Sequence, residues 1–288
     1  YTVTSPVAVP ADMTGSGAVG IEGHPAGDFD GDGTYSDRVA VTSVVDWFAI
    51  TDAEPVPRRE IVAMEKCQDC HGERDGLAFH GANRTDNPQM CALCHNANNT
   101  DLAMRPTDPD ATDNEVNTAA ADGKEEESID FKRMIHGIHG AGMRETDLVI
   151  YGFRNSSHNF SGVHFPGRLN DCETCHLPGT YTLPLADGVL ATTIDTQATV
   201  NNSSPFGTQD FTPLAAALDV DDDGNIGPIA AACSGCHDSD LAREHMTLNG
   251  SNFDALQADF DSGAYVETCE VCHGEGRAAD IEVVHSPD

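Results

Sequence analysis

All ten cysteines of this chain fall into five copies of one pattern, Cys-x-x-Cys-His, with no cysteine left over. The copies are Cys67-Gln68-Asp69-Cys70-His71, Cys91-Ala92-Leu93-Cys94-His95, Cys172-Glu173-Thr174-Cys175-His176, Cys233-Ser234-Gly235-Cys236-His237 and Cys269-Glu270-Val271-Cys272-His273. Two thiols three residues apart, followed at once by an imidazole, are the attachment site of c-type haem. The thiols add across the two vinyl groups and the histidine becomes the proximal iron ligand. The alternatives explain less. A zinc site needs four ligands per ion and no histidine after every pair. A thioredoxin-like redox motif would occur once, in a β-α-β context. Disulfides do not demand the histidine. The pattern therefore predicts five covalent haem c groups with His71, His95, His176, His237 and His273 as proximal ligands.

Five six-coordinate irons need five further ligands. Of the 13 histidines, eight are not proximal: His24, His80, His136, His139, His158, His164, His245 and His285. Full bis-histidine ligation is possible. Seven methionines are also present, and a His/Met haem would have a higher potential, but the histidine supply already exceeds the demand. The stretch Phe131 to Gly142 is central to this supply. Phe131, Ile135 and Ile138 recur at helical spacing; Ser128 is the expected cap, Asp130 suits the first turn and Gly140 and Gly142 the end. His136 and His139 would then project roughly 60° apart and about 4.5 Å along the helix axis. They cannot sandwich one iron, but they can reach two irons held close together. In an average protein two surface histidines would be the simpler reading; the surrounding cysteines overturn it.

A length of 288 residues allows one or two domains. With one Trp and 6% aromatic residues the chain is poor in ordinary core material, which large apolar macrocycles would replace. The expected fold is a mostly irregular and α multihaem cytochrome c module, loops and short helices packed around five haems, with a small N-terminal β segment. The formal charge of −33 excludes nucleic acid and anionic membrane as partners. It suits plain solubility first, and attraction to cations or positively charged mineral surfaces second. No apolar run is long enough to span a bilayer. The chain starts at Tyr1 without a visible signal peptide and reads as a mature or trimmed product. Haem is attached to this motif outside the bacterial cytoplasm, so export is implied.

Along the chain, residues 1–62 hold no cysteine and read as β, with strands at Val39 to Thr42 and Val44 to Thr51. Residues 63–288 read as the haem module. Asp28, Asp30 and Asp32, with Gly33 closing the six-residue run, match the start of a calcium loop. Asp219, Asp221 and Asp223 form a second copy. Both lack the expected glutamate at position twelve, where Val39 and Ala230 stand, so calcium competes with a solvated acidic turn. A short helix is expected over Arg59 to Lys66. Lys124-Glu125-Glu126-Glu127 reads as a solvated face. His158 and His164 fall in a loop, residues 177–228 are loop-like, Leu241 to Met246 form a helix presenting His245, and Ile281 to His285 form a strand-like tail.

In order along nearly the whole chain run Ile21-Glu22-Gly23-His24-Pro25, Phe79-His80-Gly81-Ala82-Asn83-Arg84, Cys94-His95-Asn96, Arg133-Met134-Ile135-His136-Gly137-Ile138-His139 and Phe165-Pro166-Gly167. Glu244-His245-Met246 and Cys272-His273-Gly274 ahead of Val284-His285 complete the series. The series resembles the OmcA/MtrC family of outer-membrane multihaem cytochromes from metal-reducing bacteria. The resemblance implies a decahaem architecture, two pentahaem domains alternating with two β-barrel-like domains, all haems bis-histidine. This chain would cover one pentahaem domain and the end of the preceding β domain. The family's β-domain disulfide has no cysteines to form it here. Carried over residue by residue, the distal ligands are His80, His136, His139, His245 and His285. His158 is first reserve, and His164 and His24 fall to loop or β segment. Order alone does not say which distal histidine serves which haem.

Saturated irons leave no open position for substrate, so electron transfer is the expected function, and an enzyme in the ordinary sense is not. The resemblance adds the setting: the extracellular face of the outer membrane, or a secreted form. It implies other multihaem cytochromes or an outer-membrane conduit as partners, and metal oxides or flavins as acceptors. A multihaem reductase would need one five-coordinate haem, and no altered attachment site marks one. A cytochrome filament would use surplus histidines and the orphan strands to join copies of the chain.

Overall fold

The computed structural model describes residues 2, 4, 8–72, 76–105, 124–153, 156–197 and 221–286. Short helices and sheets of two or three strands make up the described chain. The longest described helices, Phe131–His139 and Asp240–Leu248, have nine residues each. Contacts divide the chain into two compact units, one of Tyr1–Cys94 with Glu173–Thr180, the other of His95–Cys172 with Tyr181–Asp288.

The first unit joins the N-terminal strands to haem-motif helices. Ser16–Ile21 and Val44–Ala49 pair antiparallel, Ser16 opposite Ala49 and Ile21 opposite Val44. Gly20 lies under the helix Pro88–Cys94, where an added Cβ would meet Met90 Sδ at 2.5 Å. Any larger residue would push the second attachment motif off the strand pair. The expected strand at Val39 to Thr42 is absent. Its neighbour Ser43 instead takes the pairing: its N–H donates to Thr85 O and its hydroxyl accepts from Thr85 N–H. The first helix spans Met64–His71, later than expected, and contains the motif instead of leading into it.

In the second unit, Phe131–His139 forms the helix that its periodicity predicts, but Asp130 caps it, accepting from Lys132 N–H. Ser128 sits one step upstream, and its hydroxyl accepts from Asp130 N–H. Of the acidic run before it, Glu125 is exposed as expected, but Glu126 and Glu127 are buried. Glu126 is 7% and Glu127 3% exposed. The cause is the partners that the fold brings up, one from far along the chain and two from close by. Thr196 donates to Glu126, and Arg133 and Lys124 to Glu127. His158 lies in a hairpin strand, Ser156–Asn159 on Val149–Gly152, where a loop was expected. Within the loop-like 177–228, Thr192–Asp195 and Gly224–Ile226 form two strands of a three-stranded sheet. The tail Ile281–Val284 is a helix, not a strand, because Asp280 accepts from Glu282 N–H and starts a turn. Helix Asp240–Leu248 presents His245 as the sequence predicts, capped by Ser239.

Buried apolar side chains are few. Among the described residues, some of them gather in two small clusters, Val149 with Tyr151, and Ile226 with Ala230 and Ala231, while others such as Met90, Leu102 and Leu183 are buried outside these. Much of the described hydrophobic surface is exposed, including Phe79, Val271 and Val284. Such a core is thin for a chain of 288 residues.

Candidate haem sites

Each attachment motif sits on or beside a helical turn. Cys67, Cys70 and His71 lie on Met64–His71; Cys91 and Cys94 on Pro88–Cys94; Cys272 and His273 on Glu270–His273. Cys172 opens a 3₁₀ turn, and Cys233 ends the helix Pro228–Cys233. Helical i, i+3 spacing brings the two sulfurs of a motif to one side, as addition to one macrocycle requires. Burial pushes the Cys67 thiol up to about 11, helped by Cys175 and Cys91 beside it. Burial likewise pushes Cys233 up to about 12, helped by Cys269 and Glu267. These sulfurs therefore cluster between motifs, and they are the opposite of the low-pKa thiols of a redox dithiol. Zinc fares no better. Among the described residues, the group of three or more His, Cys, Asp or Glu ligand atoms within 4.8 Å of one another is Asp28, Asp30 and Asp32, with no cysteine.

Two histidine pairs stand out. The His237 and His285 ring centres are 6.2 Å apart, and those of His245 and His273 are also 6.2 Å apart. Two imidazoles on opposite sides of one metal, each bonded at about 2 Å, hold their ring centres about 6 Å apart. The ring planes cross at 64° and 83°, which rings sharing only the ligand axis can do. Each pair joins the histidine of one motif to a histidine that follows the other motif. The helix after the fourth motif reaches the fifth, and the turn after the fifth reaches the fourth.

The remaining ring nitrogens are set for the same chemistry. Backbone carbonyls hold Nδ1 of His95 (Ile129 O, 3.0 Å), His139 (Ile135 O, 3.0 Å), His273 (Ala279 O, 2.9 Å) and His285 (Ile281 O, 3.1 Å). A carbonyl only accepts, so the proton sits on Nδ1 and Nε2 is left as the ligand atom. His176 Nδ1 lies 3.3 Å from Thr180 Oγ1. Burial lowers the pKa of His136, and burial plus His285 lowers that of His237, favouring the neutral rings that metals bind. His136 and His139 point apart as the helix period requires. His136 Cβ lies against Gly235, while the His139 ring meets Phe165 edge-on at 5.8 Å.

His80 stands at the tip of the hairpin Ala78–Phe79 and Arg84–Thr85, with φ of 52°. Arg38 donates to the neighbouring Gly81 O and fixes that turn. His158 contacts Ser156 Oγ through Nε2 at 2.9 Å and stacks on Phe160, so its ligand atom is engaged. His24 and His164 are peripheral. Asp28, Asp30 and Asp32 converge on an exposed turn in which Asp28 accepts from the N–H groups of Gly31, Asp32 and Gly33. Asp219 lies outside the described residues. Asp223 is buried, with Thr193 Oγ1 3.4 Å from its carboxylate, and Asp221 sits in the turn before it. Sequence reasoning missed the polar frame around the fourth motif: Asp238 adjoins His237, but nothing in the spacing of Arg144 links it to the motif.

Residues 59–286 match the profile of the outer membrane cytochrome MtrC/MtrF-like family, domains II/IV. The chain belongs to this family. A crystal structure of the outer membrane decaheme cytochrome OmcA is similar over 98% of this chain at 18% identity and a TM-score of 0.46. The chain spans 36% of that protein's chain. Among individually curated proteins, none matches the sequence. Membership of the MtrC/MtrF-like family makes the chain a cytochrome domain of the II/IV type. The donor set fits covalent haem c: paired sulfurs, histidines with fixed tautomers and two ring pairs at ligand spacing. No described helix is long and apolar enough to cross a membrane.

Proposed function

We propose that this chain is a five-haem electron relay working in extracellular electron transfer. The reading rests on the two histidine pairs at 6.2 Å, which would each hold one iron between them. Haem c, when bound, supplies one-electron chemistry at each of five irons. The chain's own residues attach, orient and enclose it. Cys67 and Cys70, Cys91 and Cys94, Cys172 and Cys175, Cys233 and Cys236, and Cys269 and Cys272 anchor the five groups. His71, His95, His176, His237 and His273 hold the near faces. His285 completes the fourth site and His245 the fifth. His80, His136 and His139 are the remaining distal candidates. Saturated ligation shuts out substrate and favours outer-sphere transfer over catalysis. Residues 63–288 then form the pentahaem domain and 1–62 a β segment ahead of it. The acceptors are metal oxides, flavins or a further cytochrome, at the outer face of the outer membrane. Calcium on Asp28, Asp30 and Asp32 is an accessory of the β segment.

Intact mass and the EPR spectrum of the oxidised protein test this reading. Five haem increments with every iron low-spin are expected. His285→Ala and His245→Ala should each turn one haem, and a different one, high-spin. Fewer increments, or a high-spin iron in the unaltered protein, would replace the relay by a site open to substrate.

A further inference from the structure

The fourth attachment motif is held by buried arginines. Arg144 Nη1 donates to Gly235 O at 2.8 Å and to Ser234 O at 3.2 Å, the two carbonyls between the fourth pair of cysteines. Its Nη2 lies 3.4 Å from Asp238 Oδ2, and the two side chains are 4% and 6% exposed. Asp238 directly follows the proximal His237 and accepts from the N–H groups of Glu145 (2.8 Å) and Thr146 (3.0 Å) and from the Thr146 hydroxyl. Arg133, 8% exposed, adds a bond from Nη1 to Ser234 Oγ at 3.1 Å. The loop between the cysteines is therefore gripped on both sides by buried guanidinium groups. It has no slack either. A Cβ on Gly235 would meet His136 Cβ at 2.5 Å, and one on Gly140 would meet Cys236 Sγ at 2.8 Å.

The neighbouring fifth motif has carboxylates close by in sequence, one of which, Glu267, also faces Cys233. Glu267 lies two residues before Cys269 and Glu270 one after it. Glu267 is committed to capping the helix Pro228–Cys233, accepting from Ile229 and Ala230 N–H, and to Ser251. A guanidinium cannot shed its proton and so keeps its charge when buried. A positive charge beside a haem disfavours the oxidised, more positive state, most strongly where water is excluded.

We propose that Arg144 is a positioning residue for the fourth haem that also raises its reduction potential, making that haem a preferred resting place for electrons. The inference rests on the reading that Cys233 and Cys236 carry haem. The field of Arg144 is partly offset by Asp238, so removing either partner alone moves the same haem, in opposite directions.

The experiment uses the full holoprotein, with potentials of all five haems from optical and EPR redox titration. Arg144→Gln should shift one haem to lower potential and leave the other four in place, with its iron still low-spin. Arg144→Lys should recover part of the shift. Asp238→Asn should move the same haem to higher potential, and it decides the matter if Arg144→Gln loses haem or fails to fold. Midpoints unchanged in Arg144→Gln and Asp238→Asn, or shifts of all five together, would overturn the proposal. Peptide mass of the segment spanning Cys233 and Cys236 separates the two failures. A segment without haem sinks the underlying reading, whereas a haem-bearing segment with unmoved midpoints sinks only the role of Arg144.

Discussion

Two acidic stretches of this chain look alike in sequence and end in opposite environments. Asp28 to Asp37 forms an exposed turn held by its own backbone, N–H groups of Gly31, Asp32 and Gly33 bonding to Asp28. Glu126 and Glu127 are buried, and each carboxylate is met by groups from other parts of its unit: Thr196, Arg133 and Lys124. The difference is not in the acids but in what the fold brings to them. A buried carboxylate survives only with partners, whereas an exposed one needs none. The two environments respond differently to substitution, to pH and to added cations.

The largest contrast is expected from charge removal. Glu127→Ala strands Arg133 and part of Lys124 inside the second unit. Breaking a buried pair by deleting one partner costs about 3–5 kcal/mol. Burial alone would raise the pKa of Glu127, but Arg133 and Lys124 outweigh it and hold it below the usual glutamate value. The denaturation midpoint of the holoprotein should fall sharply in Glu127→Ala. A midpoint within the scatter of surface variants would mean that this acidic run is solvated after all.

Glu126 sharpens the comparison from within the buried run. It has no cation to oppose burial, and its pKa is raised from 4.5 to about 7, burial outweighing bonds from Thr100 and Thr196. The folded protein thus holds this proton more tightly than the unfolded chain. Its contribution to stability is complete below about pH 4.5 and is lost as pH climbs toward 7. The total is on the order of 3 kcal/mol. Stability of the unaltered protein relative to Glu126→Gln should therefore decline across that window. A difference that stays flat from pH 4 to about 8 would show that Glu126 titrates normally.

The same contrast explains what could be read in advance. The helix Phe131–His139 was legible because its apolar residues repeat at helical spacing, and the five attachment motifs because each is contiguous. Asp130 displaced Ser128 as the cap because Ser128 turned inward to the Asp130 N–H, a choice settled by packing. The four-residue helix Ile281–Val284 is too short to show a period. Glu127, Arg144 and Asp238 were illegible for one reason: apart from the local contacts of Lys124 with Glu127 and Arg144 with Thr146, the partners that matter lie 6 to 93 residues away, and spacing carries no trace of them. The pairing of His285 with His237 and His245 with His273 is of this kind too. Sequence supplies the candidates, and only distances join them.

The smallest effect belongs to the exposed turn. Asp30 accepts a single bond, from Asp32 N–H at 3.2 Å. In chelator, Asp30→Asn should change stability by no more than about 0.5 kcal/mol, as is usual for surface positions. The neighbouring carboxylates of Asp28, Asp30 and Asp32 repel one another, and a cation between them would relieve that repulsion while stabilising the folded form by mass action. Calcium should therefore raise the melting temperature of the unaltered protein, and raise it less in Asp30→Asn. Equal responses in both would make the turn an ordinary solvated one. They would leave the contrast with Glu127 intact, since that depends on burial and not on a bound ion.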